Sequence, residues 1–329
     1  MSALTPGTVT VDVRLVPADL QAALRRDARA GLSATPKVMP PVWFYDDRGC
    51  ELYEAITRTP EYYPFRAERE LLARWSGDIA TAAGASVLVE LGSGTSEKTR
   101  LLLDAMAAAP TGLTGFVPFD VAEATLRDAA GAVAAEMGIG VHAVVGDFHE
   151  HLDGIPALEA PRLVAFLGST IGNFEPDQRA RFLGEVAALL TPTDRFLLAT
   201  DLVKPVDRLV AAYDDAAGVT AAFDLNLLAV LNRELGADFD ADRFRHRAVW
   251  DAEHSRIEMR LAATEAMTVK VPEIDLVAEF AAGEEMRTEI STKFTADQVG
   301  DELSAAGMHV EGRWTDPAGD YLVTLARRG

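Results

Sequence analysis

Five short apolar runs, each separated from the next by a longer connecting segment, constrain this chain more than any other feature. They are 87–91, 116–120, 141–145, 163–167 and 196–201. A strand that is apolar on both faces has to be covered on both, and parallel neighbours need a long crossover, usually a helix. The pattern therefore predicts a doubly wound (Rossmann-like) α/β domain, with helices over about 96–108, 122–137 and 177–190. Near the C-terminus a helix over 296–306 precedes two strands, 309–314 and 321–326, joined by Asp316-Pro317-Ala318-Gly319. Such a C-terminal hairpin suits the antiparallel edge of a mostly parallel sheet.

The remaining segments break that rhythm. A helix is predicted over 17–32, followed by a stretch punctuated by Pro36, Pro40, Pro41, Pro60 and Pro64. Four of the six tyrosines fall there, between positions 45 and 63, so the segment reads as proline-fixed loop carrying hydroxyl-tipped contact surface. Residues 206–235 read as helix, and 245–250, 256–262 and 267–271 as successive strands. The expected organisation is a doubly wound domain over 64–202 and 287–329, and a second, α+β, substrate-binding domain over 13–63 and 203–286.

Charge narrows the partners. The formal net charge is −20, which repels nucleic-acid phosphates and anionic membranes. A single cysteine, Cys50, rules out an intrachain disulfide or a cysteine zinc cluster. No apolar run reaches the ~20 residues of a membrane span, and Met1–Asp12 lacks the pattern of a secretory signal. A monomeric cytoplasmic protein with a small-molecule substrate and no bound metal is expected.

Ligands of open α/β sheets bind beyond the carboxyl ends of the strands. The first run ends in Glu90-Leu91-Gly92-Ser93-Gly94-Thr95-Ser96-Glu97-Lys98-Thr99. A dinucleotide fingerprint needs glycine where Glu97 stands, and a nucleotide P-loop needs glycine before Lys98. Both phosphate sites fail, whereas acidic surroundings suit a cationic, phosphate-free adenosyl sulfonium. Asp120 closes the second strand as an acceptor for two ribose hydroxyls. Asp147 and Phe148 follow the third, one for an adenine amine and one for its ring face. Together these point to S-adenosylmethionine, with Gly92, Asp120, Asp147 and Phe148 as cofactor residues. Capping by Asp120 and a simple tight turn at Gly92 are the bland alternatives.

The fourth strand ends in Gly168-Ser169-Thr170-Ile171-Gly172-Asn173-Phe174. Asn173 can orient a nucleophile there, or cap the helix that starts near Pro176. Base-amine methyltransferases place Asn-Pro-Pro-aromatic at this point, and the prolines are missing. In the run 286–294 alternation puts Arg287, Glu289, Ser291 and Lys293 on one face, and spacing alone favours the wet face of a strand.

Longer strings carry a resemblance. They are Trp43-Phe44-Tyr45-Asp46, Pro60-Glu61-Tyr62-Tyr63-Pro64, Pro118-Phe119-Asp120, the run 212–223, the run 280–286 and Trp314-Thr315-Asp316-Pro317-Ala318-Gly319-Asp320, with the two glycine loops above. Over essentially its full length the chain resembles the L-histidine Nα-methyltransferases of ergothioneine biosynthesis. The resemblance implies a class I methyltransferase fold. It also implies three methyl transfers to the α-amine of L-histidine, through its mono- and dimethylated forms, giving hercynine. Tyr45, Asn173 and Tyr213 would hold the amine and carboxylate, with Tyr45 and Asn173 orienting the attacking nitrogen. Tyr62, Glu289, Ser291 and Met259 would surround the imidazole, which turns the wet face into a specificity fork. Lys98, with Gly92, Asp120, Asp147 and Phe148, would fall on the cofactor positions. Tyr53 stands where some relatives have Phe. Alternatives are another amino acid, such as a tryptophan derivative, or a non-catalytic sensor of the cofactor.

Overall fold

The computed structural model describes residues 4–148 and 150–329; the start of the N-terminal segment considered above lies outside them. Along the chain come β1 (Val9–Val13), α1 (Pro17–Ser33), β2 (Lys37–Val38), a 3-10 turn (Pro41–Phe44), α2 (Asp47–Thr57) and α3 (Tyr63–Ala83). The doubly wound stretch follows as β3 (Val87–Leu91), α4 (Thr99–Ala108), β4 (Gly115–Asp120), α5 (Glu123–Met137), β5 (Gly140–Val145), β6 (Arg162–Phe166), α6 (Pro176–Leu189) and β7 (Arg195–Asp201). Then come α7 (Val206–Tyr213), α8 (Val219–Leu235), β8 (Phe244–Asp251), β9 (Arg256–Ala263), β10 (Met267–Val271), β11 (Leu276–Phe280) and β12 (Glu285–Thr292). The chain ends with α9 (Ala296–Ala305), β13 (Met308–Thr315) and β14 (Tyr321–Arg328).

These elements form two compact units. The first holds the residues up to Leu15, Arg66–Val203 and Phe294–Gly329; the second holds Val16–Phe65 and Lys204–Lys293.

The first unit is built on an eight-stranded sheet in the order β1-β5-β4-β3-β6-β7-β14-β13. Its first six strands run parallel, and β14 and β13 add antiparallel at the far edge. The five apolar runs are its central strands, and every residue of β3 and β6 is buried. Order reverses at β3, whose neighbours β4 and β6 carry the chain outward on opposite sides. That reversal opens the crevice in which such sheets take ligands. Phe166, Phe174 and Phe182 stack there with ring centroids 4.7–6.0 Å apart, so the floor of the crevice is rigid. The hairpin is as expected: the Asp316 carboxylate accepts from the backbone N–H groups of Asp320 and Tyr321 at 2.7 and 2.8 Å and fixes its turn.

The second unit carries a sheet in the order β2-β12-β9-β8 and a separate β10–β11 ribbon. The segment expected to be proline-fixed loop contains α2. Asp46 caps it through Gly49 N–H at 2.8 Å and also accepts from Asn226 Nδ2 of α8 at 2.8 Å. A Cβ on Gly49 would lie 1.6 Å from the Phe44 carbonyl oxygen, so no other residue permits this close start. The expected boundaries shift in two places. The segment preceding α1 belongs to the first unit because β1 pairs with β5. Strand β12, assigned above to the doubly wound domain, pairs with β9 and β2 and lies in the second unit.

A β-bulge between Arg287 and Glu289 corrects the expected alternation. Arg287 stands opposite Arg260, whereas Glu289 stands opposite Met259. The extra residue, Thr288, thus moves Arg287 to the other face, where it reaches Glu258 at 3.3 Å beside Arg256 and Arg260. Among the described residues no helix is long and apolar enough to cross a membrane, and no group of three or more His, Cys, Asp or Glu side chains could hold a metal ion.

Candidate active site

In the first unit the glycine loop leaves β3 with φ of +72° at Gly92 and +49° at Gly94, values that a side chain disfavours. The end of β4 holds it. Gly92 and Ser93 N–H groups donate to the Phe119 carbonyl at 2.8 and 3.1 Å, and Gly94 N–H donates to Asp120 Oδ2 at 2.8 Å. Asp120 Oδ1 accepts from Ala122 N–H at 2.9 Å. Ala122 is itself the cap residue of α5, so Asp120 braces the loop rather than capping the helix. Each carboxylate oxygen has a further lone pair to offer two hydroxyls. Burial pushes the Asp120 carboxyl above its ordinary pKa, against the pull of these backbone donors. Glu90 is pushed further, to about 8, by burial at the end of β3; the Thr99 hydroxyl, 2.6 and 2.7 Å from its two oxygens, opposes this.

Phe148 lies against Phe166, Phe174 and Phe182 at 5.4–5.9 Å, and a Cβ on Gly92 would approach its ring within 3.9 Å. Asp147 sits half-buried beside it, its carbonyl accepting from His151 N–H at 2.8 Å. Gly92, Asp120, Asp147 and Phe148 therefore converge at the ends of three adjacent strands.

Lys98 has a committed partner, Glu68 of α3, a residue the sequence reading missed. Glu68 is fully buried, and its Oε1 also accepts from Gly168 N–H at 2.7 Å and Tyr321 Oη at 3.2 Å. One carboxylate thus ties the loop after β3, the loop after β6 and the start of β14. Flanked by Arg66, Arg69 and Glu70, it reads in sequence as part of a solvated helix face, and no local signal sets it apart.

Ser93 Oγ and Ser96 Oγ are buried in the glycine loop without a hydrogen-bond partner. Buried hydroxyls are ordinarily satisfied, so this pair fits a loop shaped around a polar ligand. Asn173 ends the 3-10 turn Thr170–Asn173 after β6. The cap of α6 is Glu175, whose backbone N–H also donates to Gln178 Oε1 at 2.9 Å, so Asn173 is not the helix cap.

The second unit gathers the rest of the expected set. Rings run in a chain from Tyr45 to Tyr53 (5.8 Å), Tyr53 to Tyr62 (6.5 Å) and Tyr62 to Tyr213 (6.1 Å), with Phe223 of α8 beneath Tyr45 and Tyr53. Tyr213, the last residue of α7, stands 2.8 Å from Ser291 Oγ through its hydroxyl. Lys293 Nζ donates to both, at 2.8 and 2.7 Å, and is itself fully buried. The Tyr213 carbonyl accepts from His246 Nε2 at 2.8 Å, while His246 Nδ1 lies 2.6 Å from Asp224. A carbonyl and a carboxylate only accept, so His246 is doubly protonated. Burial opposes that charge, but Asp224 outweighs it and the pKa lies above the ordinary value. Thr288 Oγ donates to the same Asp224 at 2.6 Å, so the bulge residue locks the strand beneath Tyr213.

Glu289 points onto the same face as Met259 and Ser291. Burial pushes its carboxyl to about 7, with Lys293 pulling down, Asp224 pushing up and His246 pulling down. It retains a margin of accessible surface and accepts no hydrogen bond from any described residue. A carboxylate so enclosed and unsatisfied does not sit on the wet face of a strand, and it fits a ligand site. Burial, with Tyr53, Tyr213, Glu289 and Tyr45 around it, holds the Tyr62 hydroxyl well above its ordinary pKa, hence protonated. Lys293, His246 and Asp224, which pack around these groups, were not singled out from the sequence. Alternation alone makes a lysine at the end of a strand look solvated.

A strand-order reversal at a glycine loop, with an acid at the next strand end and an aromatic at the third, fits S-adenosylmethionine. Lys98 held by Glu68 and an acid at Glu90 leave no cradle for phosphate. The fold and loop define a class I S-adenosylmethionine-dependent methyltransferase. Comparison with known proteins makes the assignment narrower. The model of the histidine-specific, S-adenosylmethionine-dependent methyltransferase family matches residues 24–328. Histidine N-alpha-methyltransferases of Mycolicibacterium smegmatis and Mycobacterium tuberculosis are 58% and 54% identical to the chain, each over 93% of it and 95% of the relative. Ergothioneine biosynthesis protein 1 of Neurospora crassa is 27% identical over 93% of this chain and 35% of that protein. The chain belongs to the histidine-specific, S-adenosylmethionine-dependent methyltransferase family.

Proposed function

We propose that this enzyme transfers three methyl groups to the α-amino group of L-histidine, giving hercynine, as a step of ergothioneine biosynthesis. The observation that carries the reading is Glu289: an enclosed carboxylate without a donor among the described residues, two residues along the strand from Ser291 and on the same face. A neutral imidazole has one N–H and one bare nitrogen. Glu289 accepts from the first and Ser291 donates to the second. Met259, opposite Glu289, and Tyr62 enclose the ring, while Tyr45, Tyr213 and Asn173 hold the amine and carboxylate. The two mycobacterial relatives support the substrate and the attacked nitrogen, and the Neurospora relative supports the pathway.

S-adenosylmethionine, held by Gly92, Asp120, Asp147 and Phe148 with Lys98 behind the loop, supplies a methyl group already activated by sulfonium. The chain's own residues therefore need not provide a strong acid or base. They align an uncharged amine and keep water away from it; alignment of this kind is worth up to ~7–11 kcal/mol in ideal intramolecular models. Each of the first two products regains a lone pair once its proton leaves to water. The third is quaternary and has none, so the series ends by its own chemistry.

Glu289→Ala tests the reading. It should lower kcat/KM for histidine by at least tenfold, from the loss of a charged hydrogen bond of about 1.5–3 kcal/mol. The effect on tryptophan, which does not use that bond, should be much smaller. Equal losses for the two amino acids would assign Glu289 to folding and overturn the reading.

A further inference from the structure

Lys293, Tyr213 and Ser291 form a closed triangle, with Nζ 2.8 Å from the phenol oxygen and 2.7 Å from the serine oxygen, and the two oxygens 2.8 Å apart. An ammonium donates and never accepts, so both oxygens spend a lone pair on it. One hydroxyl must then donate to the other across the third side. The phenol is the more acidic of the two, with an ordinary pKa near 10, and the ammonium 4.6 Å from its ring centre polarises it further. Geometry alone lets either oxygen donate, and the acidity difference favours Tyr213 as the donor. Ser291 accepts from two donors, its lone pairs are filled, and the proton of its own hydroxyl is left to point at a ligand.

We propose that Lys293 is a positioning residue that makes Ser291 an obligatory hydrogen-bond donor, and so selects a substrate ring that carries a bare acceptor nitrogen. The proposal rests on the histidine reading above and extends it to the origin of the site's polarity. Without the lysine, Ser291 regains a lone pair and accepts or donates with equal ease. The fork then loses its direction, and a ring bearing only N–H groups becomes tolerable. Other charged and titratable groups on this face are Glu289, Asp224, His246 and Tyr62. The first is an acceptor for the other ring nitrogen, and the next two are satisfied by each other. None of them hydrogen-bonds to Ser291 as Lys293 does, so the direction of the serine hydroxyl falls to the lysine and the tyrosine.

The test uses the full chain and compares L-histidine with the two pyrrolylalanine isomers, which keep a ring N–H and carry CH in place of the acceptor nitrogen. The wild type should turn over both isomers at least 10²-fold less efficiently than histidine, since a site built for a hydrogen bond rejects a ligand that leaves it unpaired. In Lys293→Met the kcat/KM for histidine should fall by tenfold or more, and the preference over pyrrolylalanine should shrink. S-adenosylhomocysteine affinity should be unchanged. In a Ser291→Ala background the lysine substitution should add less than about threefold, because both changes remove the same interaction. Lys293→Gln, which retains an N–H donor, should recover part of the preference. Independent, multiplicative losses, or an equal fall for histidine and pyrrolylalanine, would overturn the proposal. So would a wild type that accepts either pyrrolylalanine as well as histidine, a result that requires no variant to fold. Full histidine turnover in Ser291→Ala would overturn the histidine reading itself, which is a distinguishable outcome.

Discussion

Glu68→Gln changes a single atom and strikes the joint on which the first unit's ligand loops depend. The amide oxygen can still accept from Gly168 N–H and Tyr321 Oη, so those contacts survive. The amide NH₂ then faces the Lys98 ammonium, donor against donor, where a carboxylate had been. Losing a charged hydrogen bond costs about 1.5–3 kcal/mol. Stranding a fully buried cation would cost ~3–5 kcal/mol, but Lys98 keeps some access to solvent, so the lower range applies. At ~2–4 °C per kcal/mol for a unit of this size, the melting temperature should fall by roughly 3–12 °C. S-adenosylhomocysteine binding should weaken by tenfold or more, because the Glu68–Lys98 ion pair no longer ties the glycine loop to α3. Differential scanning fluorimetry and titration calorimetry on the same preparation give both numbers. A variant that melts within a degree of the wild type and binds within twofold of it would refute the reasoning.

Two further outcomes follow from the site. Asn173→Ala should lower kcat at saturating histidine while leaving S-adenosylhomocysteine affinity nearly intact; since Glu175 caps α6, the fold should tolerate the change, and undiminished turnover would remove Asn173 from the reaction. The second concerns pH and Glu289. Its folded-state pKa, about 7, is raised above its unfolded value, so the free protein favours the protonated carboxyl and this group's contribution to stability declines as pH rises from about 4.5 through 7. Recognition runs the other way, because the imidazole N–H needs the ionised form. The kcat/KM for histidine should therefore fall as pH drops through about 7, and Glu289→Gln should flatten that limb; an unaltered limb would assign the titration to the substrate alone.

The parallel core was legible because a strand covered on both faces can be written only in apolar residues, as at 87–91 and 163–167. The placing of the glycine loop, Asp120 and Phe148 at neighbouring strand ends was legible because each follows directly on an apolar run. Strand β1 was not: it is a short edge strand whose residues are mostly exposed or half-buried, so it lacks an apolar signature. Helix α3 was obscured by Pro64, which sits in its first turn, where proline is tolerated. The bulge at Thr288 illustrates a deeper limit. One extra residue reverses which side chains share a face, so Arg287 turned to the other side while Glu289 stayed with Met259 and Ser291, and nothing in an alternating string announces it. Glu68 and Lys293 were invisible for a related reason. Charged residues at solvated spacing reveal their burial only when distant strands and helices close over them.

The central claim is that this chain methylates the α-amine of histidine to completion. Incubating the protein with S-adenosylmethionine and L-histidine, and following the products by mass spectrometry, tests it most directly. Mono-, di- and trimethylated histidine should appear in succession, with every added methyl on the α-nitrogen by fragmentation and no further product after the third. Methyl groups on an imidazole nitrogen, or an S-adenosylmethionine-binding protein that leaves histidine unchanged, would contradict it.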